Sequence, residues 1–396
     1  MKQIYSFLTA FVMFFGVMMM GLVPGKSEAQ ISDQPDTPFK LATFEAAGTV
    51  RVGMAVQGRL MDLQEANAYV TKQLGLSAVS TPNEMRALIE QYDAISNRMY
   101  TIANYMGENN RVADKGLAFV FDEDEISFKA PIKYPYNLLA AAANYKSHAQ
   151  EMASPSVDGL SGATTAASGG GQGGPPGGGQ GGGDGRGGGG FSAAEVDIDN
   201  EDPHMFAKSP RSCIIDPGEP FYIPEGINID WEAELAIIIA KPALNLTLED
   251  ARDYVFGYSI IYDVSRRGGT GRRPANRMFP GVNWFRGKSS DRGAPFGPYI
   301  VPKEFIRGDN LRIITRVNGV TKQDGNSKDM IYPEAHLIRF LTSVLTLYPG
   351  DVIATGTPDG VGSARNPPEF LKPGDVVEIE IEGIGTLVTP MEAESE

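Results

Sequence analysis

Three carboxylates in the second half of the chain have the types and spacing of a metal site. Glu232 and Glu234 lie two residues apart in the apolar segment DWEAELAIII, and Asp263 ends the later apolar run YSIIYDV. Side chains two residues apart on a strand share one face, and two like charges facing a core need a neutralising partner. Neither segment contains His or Cys, which favours Mg²⁺, Mn²⁺ or Ca²⁺ over zinc. Alternatively, the two glutamates line the solvent-exposed face of an edge strand.

A second pair of residues has the spacing of a general base and its orienting carboxylate. The segment NYKSHAQEM places His148 and Glu151 three residues apart. On a helix this spacing lets the carboxylate orient the imidazole, which could then activate water. A solvent-exposed surface pair is the alternative interpretation.

Two glycine-containing segments could bind an anionic ligand. RRGGTGRR (266–273), together with Arg277, concentrates five arginines in an otherwise acidic chain. The planar guanidinium group of arginine can bind a carboxylate through two parallel hydrogen bonds, so we expect this segment to bind a carboxylate substrate. The alternatives are a solvated loop and an RNA-binding patch. GTPDGVG (356–362) could offer backbone N–H groups and the Thr357 hydroxyl to an anion, or it could form a plain turn.

The elements that must position these residues are mainly strands. Short apolar runs separated by glycine predict two or three strands over residues 40–63, and a helical period predicts a helix or helical pair over 83–106. After Phe206, five segments read as strands and one, residues 332–348, as a helix containing His336. The pattern predicts an α+β, mainly β fold.

The sequence also predicts how the chain is divided. Residues 39–135 have the size of a small α+β domain, and residues 136–396 that of a catalytic domain. Glycine occupies 16 of the 22 positions from 169 to 190. Such a tract cannot bury enough apolar surface to offset its backbone entropy, so we expect a disordered insertion at 154–200.

Charge and the N-terminus indicate the class of partner and the compartment. The chain has 35 Lys and Arg against 49 Asp and Glu, which argues against nucleic-acid binding and favours a small-molecule partner.

The N-terminus predicts a signal peptide over residues 1–29, on the basis of Lys2, the apolar stretch 7–23 and the small residues before Gln30. We therefore expect a bacterial periplasmic or secreted protein with no membrane span after cleavage; an uncleaved anchor is the alternative. The single cysteine, Cys213, excludes an intramolecular disulfide and reads as a small buried residue.

Taken in order, the motifs resemble the fumarylacetoacetate hydrolase family, which includes acylpyruvases and 2-hydroxyhepta-2,4-diene-1,7-dioate isomerases. The resemblance spans most of residues 39–391 and is carried by KLATFEAAGTVRVGMAV, APIKYPYNLLAAAANYKSHAQEM, PHMFAKSP, DWEAELAIIIAK, GYSIIYDVSRR, KSSDRGAPFGPYIV, RVNGVTKQDGNSKDMIY and LYPGDVIATGTPDGVG. It implies the mixed β-roll catalytic domain of the family, a small N-terminal α+β domain and a homodimer.

The resemblance also implies roles for individual residues. Glu232, Glu234 and Asp263 match the ligands of Mg²⁺ or Mn²⁺, with Ca²⁺ as an alternative. Lys288 matches a lysine beside the metal that holds an enolate or carboxylate. His148 and Glu151 match the pair that generates hydroxide from water. Substrate contacts are implied for Tyr145, Arg267 and Thr357, whereas Gln323 and Asn326 match a signature without an assigned role.

The implied reaction is metal-dependent hydrolysis of a carbon–carbon bond in a β-diketone acid, such as an acylpyruvate or fumarylacetoacetate, through an enolate. Other members of the family are isomerases or decarboxylases of hydroxydienoates and sugar-acid dehydratases. A different class of function is an exported protein that binds a keto acid or dicarboxylate without catalysis. The sequence departs from the family pattern at Thr270, where a glutamine is usual, and in the roughly fifty residues that separate His148 from the FAK segment, where the family has a mobile lid.

Overall fold

A computed structural model describes residues 31–153, 196–267 and 283–394 of the chain. The predicted signal peptide, most of the predicted glycine-rich insertion and the arginine-containing segment beyond Arg267 lie outside the described residues. Within the described ranges, none of the helices has the length and apolar character required to cross a membrane.

Strands dominate the described part of the chain. They are β1 (Lys40–Ala46), β2 (Thr49–Val56), β3 (Arg59–Asp62), β4 (Val120–Phe121), β5 (Ser127–Lys129), β6 (Leu138–Ala141), β7 (Met205–Ala207), β8 (Ile214–Ile215), β9 (Phe221–Ile223), β10 (Asn228–Asp230), β11 (Ala233–Ile239), β12 (Val255–Tyr262), β13 (Ser265–Arg267), β14 (Ala294–Pro295), β15 (Tyr299–Pro302), β16 (Arg312–Val317), β17 (Val320–Asn326), β18 (Val352–Ala354), β19 (Val376–Ile381) and β20 (Gly385–Ala393).

The described α-helices are fewer and mostly short. They are α1 (Leu63–Leu74), α2 (Met85–Gly107), α3 (Lys146–Ala153), α4 (Pro210–Cys213), α5 (Leu248–Ala251), α6 (Trp284–Lys288) and α7 (Glu334–Val344). This content confirms the predicted α+β, mainly β fold. Cys213 is buried at the end of α4, as expected from the sequence.

A mixed sheet of eleven strands forms the centre of the protein. Its order is β4-β3-β2-β1-β15-β12-β11-β18-β6-β7, with β5 paired to β1. Every residue of the central strands β11 and β12 is buried, because both faces of the sheet are covered. This explains why these two strands read as continuous apolar runs rather than as alternating patterns.

The two faces of this sheet are covered by different parts of the chain. On one face, α1 contributes Val70, and α2 contributes Leu88 and Ile102, to a cluster that includes Ala236 and Ile238 of β11. On the other face, the sheet β17-β16-β19-β20-β9 packs through its alternate apolar residues against the odd-numbered residues of β11, beginning with Ala233. The site-bearing strand is therefore fixed from both sides.

The N-terminal strands join this central sheet directly. Leu41 and Ala42 of β1 pair with Ile300 and Tyr299 of β15, so the sheet is continuous across the boundary predicted between residues 135 and 136. The division into two domains stays a prediction. Helix α2 matches the predicted helix over 83–106, whereas α1 had not been predicted.

The last residues of the predicted insertion, 196–200, lie within the described part of the chain. Residues 198–200 form a turn, in which Asn200 N donates to Asp197 O over 3.0 Å. Val196 and Ile198 pack against a cluster that contains Leu337 of α7. Residues 196–200 are therefore ordered, because these two apolar side chains have a surface on which to pack. The extent of the insertion stays a prediction.

Candidate metal centre and histidine–glutamate dyad

Three buried carboxylates meet where β11 begins and β12 ends. The strands are antiparallel neighbours, with Glu234 opposite Ile261, and the N–H of Asp263 donates to the carbonyl oxygen of Glu232 over 3.0 Å. One oxygen of each of Glu232, Glu234 and Asp263 lies within 4.8 Å of one from each of the others. The structure thus brings together the three ligands implied by the sequence.

Basic side chains surround the three carboxylates, which we call the triad. At the end of α6, Lys288 Nζ lies 2.6 Å from Glu232 Oε2, 2.6 Å from Asp263 Oδ2 and 2.7 Å from Ser265 Oγ. Arg267, on β13, donates to Glu232 Oε1 and, over 3.0 Å, to Asp230 Oδ2. The protein's own cations therefore compensate part of the buried negative charge.

The compensation is unequal between the two glutamates. Burial alone would raise the pKa of Glu232, but the charges of Lys288, Arg267 and His148 outweigh burial and lower that pKa to about 2. Burial raises the pKa of Glu234, and the negative charges of Asp263 and Glu232 raise it further, well above its usual range. An additional cation would consequently stabilise Glu234 more than Glu232.

The donor set of the triad fits a hard divalent cation. It consists of carboxylate oxygens, which Mg²⁺, Mn²⁺ and Ca²⁺ prefer. An ionised carboxylate has about four lone-pair positions, so an oxygen that accepts a hydrogen bond from Lys288 can also ligate a cation. Burial of Lys288 lowers its pKa, but Asp263 and Glu232 raise it above its usual value, so this side chain remains an ammonium.

His148 and Glu151 form a direct contact on α3. His148 Nδ1 lies 2.7 Å from Glu151 Oε1, and Glu151 Oε2 accepts a hydrogen bond from Gly360 N over 2.9 Å. A carboxylate at Nδ1 favours the tautomer with hydrogen on that atom and leaves a lone pair on Nε2. The imidazole is thereby prepared to accept a proton.

His148 of the His148–Glu151 pair, which we call the dyad, and Glu232 of the triad line one small cavity. Its lining includes five predicted site residues and a wall of small and apolar side chains: His148, Glu232, Arg267, Lys288, Thr357, Ala141, Ala142, Ala143, Met152, Phe206 and Trp284. Glu234 and Asp263 are more deeply buried, with 1% of each residue exposed. Tyr145, predicted to contact substrate, is fully buried and is not part of this lining.

Two other predicted substrate contacts are occupied by the protein itself. Arg267 is held by Asp230 and Glu232. Thr357 Oγ1 accepts a hydrogen bond from Gln323 Nε2 over 2.9 Å, while Gln323 Oε1 accepts one from Ala233 N. Gln323 therefore links the start of β11 to the loop that carries Thr357, which gives this signature residue a structural role.

Sequence reasoning missed two buried charged residues of the site. Lys208 Nζ lies 2.5 Å from Asp263 Oδ1. The fully buried Asp230 accepts hydrogen bonds from Arg267 and from the backbone N–H groups of Gly362 and Ser363. The sequence did contain a signal for both residues, because each is a charged residue in a largely apolar segment: Lys208 in FAKSP and Asp230 in NIDW. A charged side chain is rarely buried without a partner.

The glycine-rich loop 356–363 contacts three carboxylates of the site through its backbone. Gly356 N donates to Glu234, Gly360 N to Glu151 and Gly362 N to Asp230, over 2.7, 2.9 and 2.6 Å. Gly356 has φ of +91° and Gly360 of +97°, a region that disfavours other residues. The loop predicted to bind an external anion instead binds the protein's own carboxylates.

Comparison with known proteins supports the same identification of the motifs. Residues 182–392 match the family model described as fumarylacetoacetate (FAA) hydrolase C-terminal. A mitochondrial oxaloacetate tautomerase of Xenopus laevis is 31% identical over 367 residues, 91% of this chain and 92% of the relative. Oxaloacetate tautomerase YisK of Bacillus subtilis is 32% identical, covering 88% of this chain and 98% of the relative.

A solved structure shows the same fold. Fumarylacetoacetate hydrolase from the psychrophile Exiguobacterium antarcticum aligns with a TM-score of 0.60 and 28% identity, covering 90% of this chain and 100% of that chain. This similarity confirms the catalytic fold that the sequence motifs implied.

Proposed function

Because the chain belongs to the fumarylacetoacetate hydrolase family, we propose that it is a divalent-metal-dependent enzyme for small 2-oxo acids. The reaction proposed first is keto–enol interconversion of oxaloacetate or a similar diacid, the activity named for two relatives of 31% and 32% identity. The observation that carries the proposal is the shared cavity, into which both His148 of the dyad and Glu232 of the triad project.

The charges of the site favour an anionic substrate once a metal is present. Four buried carboxyl groups meet three basic side chains, so the fully ionised cluster carries one excess negative charge: Asp230, Glu232, Glu234 and Asp263 against Lys208, Arg267 and Lys288. A bound divalent cation reverses the sign of this sum. Positive potential in a narrow, buried cavity attracts carboxylates.

The residues of the chain divide the chemistry between them. Glu232, Glu234 and Asp263 would hold Mg²⁺ or Mn²⁺, which supplies a Lewis acid for the negative charge that develops on substrate oxygens. His148 Nε2 accepts the proton from the carbon next to the carbonyl group and returns it to oxygen. Glu151 stabilises the imidazolium formed in between, and the Lys288 ammonium stabilises the developing oxyanion.

A second candidate reaction is hydrolysis of a carbon–carbon bond in an acylpyruvate-like acid, as the motifs imply. The observation that favours it is the firmly oriented dyad, because the same Nε2 lone pair can take a proton from water. His148 would then generate the nucleophile, and the leaving carbon would be protonated after cleavage.

A panel of keto acids distinguishes these reactions. Mn²⁺-loaded protein is incubated with enol-oxaloacetate, acylpyruvates, fumarylacetoacetate, a hydroxydienoate and a sugar acid, and products are identified by mass spectrometry and NMR. We expect proton exchange or enol loss without a mass change for oxaloacetate. Hydrolysis would instead give a carboxylic acid plus pyruvate from an acylpyruvate, and fumarate plus acetoacetate from fumarylacetoacetate. Absence of metal-dependent change in every acid would support the binding protein.

We also propose that the mature protein is exported and forms a homodimer. Export is based on the N-terminal sequence, and the dimer on the family resemblance. Cell fractionation tests the first proposal, and light scattering during size-exclusion chromatography tests the second. Full-length protein in the cytosol or a monomeric mass would contradict them.

A further inference from the structure

The cavity shared by His148 and Glu232 has an aromatic wall. Phe206 of β7 and Trp284 at the start of α6 both line the cavity. Their ring centroids lie 5.2 Å apart with the ring planes inclined by 35°, and the centroid of the His204 ring lies 5.4 Å from that of Trp284. Contacts between aromatic rings restrain their orientation, so Trp284 forms a defined boundary of the cavity.

The aromatic wall lies next to the polar part of the cavity. Lys288 ends the helix that Trp284 begins, and its Nζ lies 5.6 Å from the centroid of the Phe206 ring. Side chains four residues apart on a helix share one face. A substrate whose oxygens contact Lys288 therefore has the aromatic wall beside its carbon chain.

The cavity leaves little room for a long carbon chain. Its volume is about 30 Å³, which holds roughly one or two water molecules. A 2-oxo acid must therefore displace a lining side chain outward as it enters, and a longer acid must displace it further.

Trp284 is the lining residue whose size most restricts this displacement. Ala141, Ala142 and Ala143 carry only methyl groups, so little space can be gained from them. Phe206 is fixed by the pairing of β7 with β6, and Trp284 packs on its ring. Trp284 also has the largest side chain of the lining, and it begins a helix of only five residues.

We propose that Trp284 limits the length of the 2-oxo acid that the site accepts, and favours four-carbon acids such as oxaloacetate over longer acylpyruvates. This inference rests on the proposed function, because it requires a 2-oxo acid to bind in the cavity. A hydrophobic pocket discriminates about 10- to 200-fold against one methylene that does not fit. One bulky wall residue is therefore sufficient to separate these classes of substrate.

Two linear 2-oxo acids of different length, 2-oxobutanoate and 2-oxooctanoate, test the inference without requiring turnover. Calorimetric titration of the Mn²⁺-loaded full chain gives the Kd of each acid. We expect wild type to bind 2-oxobutanoate at least about tenfold more tightly than 2-oxooctanoate. Trp284→Ala should reduce this ratio at least about fivefold, because the longer acid gains apolar contact in the enlarged cavity.

Phe285→Ala is the matched control. Phe285 is the next residue of α6, but it is 71% exposed and is not part of the cavity lining. This variant should keep the wild-type ratio. Trp284→Phe, which retains a smaller ring, should lower the ratio at least about twofold, and it replaces Trp284→Ala if circular dichroism shows that Trp284→Ala is unfolded.

The ratio separates size selection from a purely structural role, which would weaken the binding of both acids equally. An unchanged ratio in a folded variant, or a fall caused only by weaker binding of 2-oxobutanoate, would overturn the inference and leave the proposed function intact. Failure of wild type to bind either acid would also overturn the inference. The proposed function would fall with it only if wild type did not accelerate the ketonisation of enol-oxaloacetate.

Discussion

His148 Nδ1 lies 2.7 Å from Glu151 Oε1, and the second oxygen of this glutamate is bound by Gly360 N over 2.9 Å. The loop that carries Gly360 also supplies the N–H of Gly356 to Glu234 of the triad. One loop therefore fixes the orientation of both the proposed base and a proposed metal ligand.

The dyad makes a first prediction. Replacement Glu151→Gln removes the charge that stabilises the His148 imidazolium, so we expect kcat to fall about 10²-fold with little change in KM. Steady-state kinetics with Mn²⁺ measure the effect, and Glu90→Gln, at an exposed position of α2, is the control. A kcat within twofold of wild type would exclude Glu151 from proton transfer.

The triad makes a second prediction, independent of turnover. We expect Glu234→Gln to weaken Mn²⁺ binding at least about tenfold, because a neutral amide replaces a carboxylate ligand. Electron paramagnetic resonance of free Mn²⁺ gives the affinity. Glu249→Gln, at an exposed residue of α5, should bind as wild type does. Equal affinities for all three proteins would place the metal elsewhere.

The sequence predicted the triad because its geometry is local. Two glutamates at strand spacing and an aspartate at the end of the adjacent strand need only the pairing of β11 with β12. Lys208 and Gly360 could not be assigned in this way, since they reach their partners across 55 and 209 residues of sequence. Such contacts depend on the packing of the whole sheet.

Removal of metal makes a third prediction. Cation binding relieves the repulsion among three buried carboxylates, so a ligand at one hundred times its Kd should stabilise the fold by about 2.7 kcal/mol. We expect the Tm of Mn²⁺-loaded protein to exceed that of chelator-treated protein by a few degrees. Calorimetric scans of wild type and Glu234→Gln provide the comparison. A similar metal-dependent rise in both proteins would contradict binding at the triad.

Elements with a long periodic hydrophobic pattern were predicted from the sequence, whereas an element with only a short pattern was missed. Helix α2 has a long helical period, whereas α1 follows β3 directly and reads as a continuation of it. Its start is marked by Asp62, whose side chain accepts from Glu65 N over 3.0 Å, and its end by Gly75 at φ +62°. These two capping residues were the signal that the hydrophobic pattern alone did not give.

A fourth prediction concerns pH and stability away from the site. Glu334 accepts a hydrogen bond from the Tyr258 hydroxyl over 2.6 Å, and burial raises the pKa of its carboxyl although Tyr258 and Arg252 lower it. A raised pKa in the folded state means that folding takes up a proton. The stability that protonated Glu334 contributes is complete at pH values below the pKa of this carboxyl in the unfolded state. It is lost as the pH rises through the pKa of the carboxyl in the folded state.

Glu334→Gln removes this titration and keeps an acceptor for Tyr258. We therefore expect the free energy of unfolding of wild type to fall relative to this variant as pH rises from the ordinary glutamate range. Urea unfolding across that range measures both proteins. Parallel stability curves would show that the Glu334 carboxyl has the same pKa in the folded and unfolded states.

The central claim is that the dyad and the triad together catalyse metal-dependent proton transfer on a 2-oxo acid. The most direct measurement follows the loss of enol absorbance after enol-oxaloacetate is diluted into buffer with Mn²⁺. We expect wild type to accelerate ketonisation at least about 10²-fold over Mn²⁺ alone, and His148→Gln and Glu234→Gln each to lose most of this acceleration. A wild-type rate equal to that of Mn²⁺ alone would contradict the claim, as would undiminished acceleration in both variants.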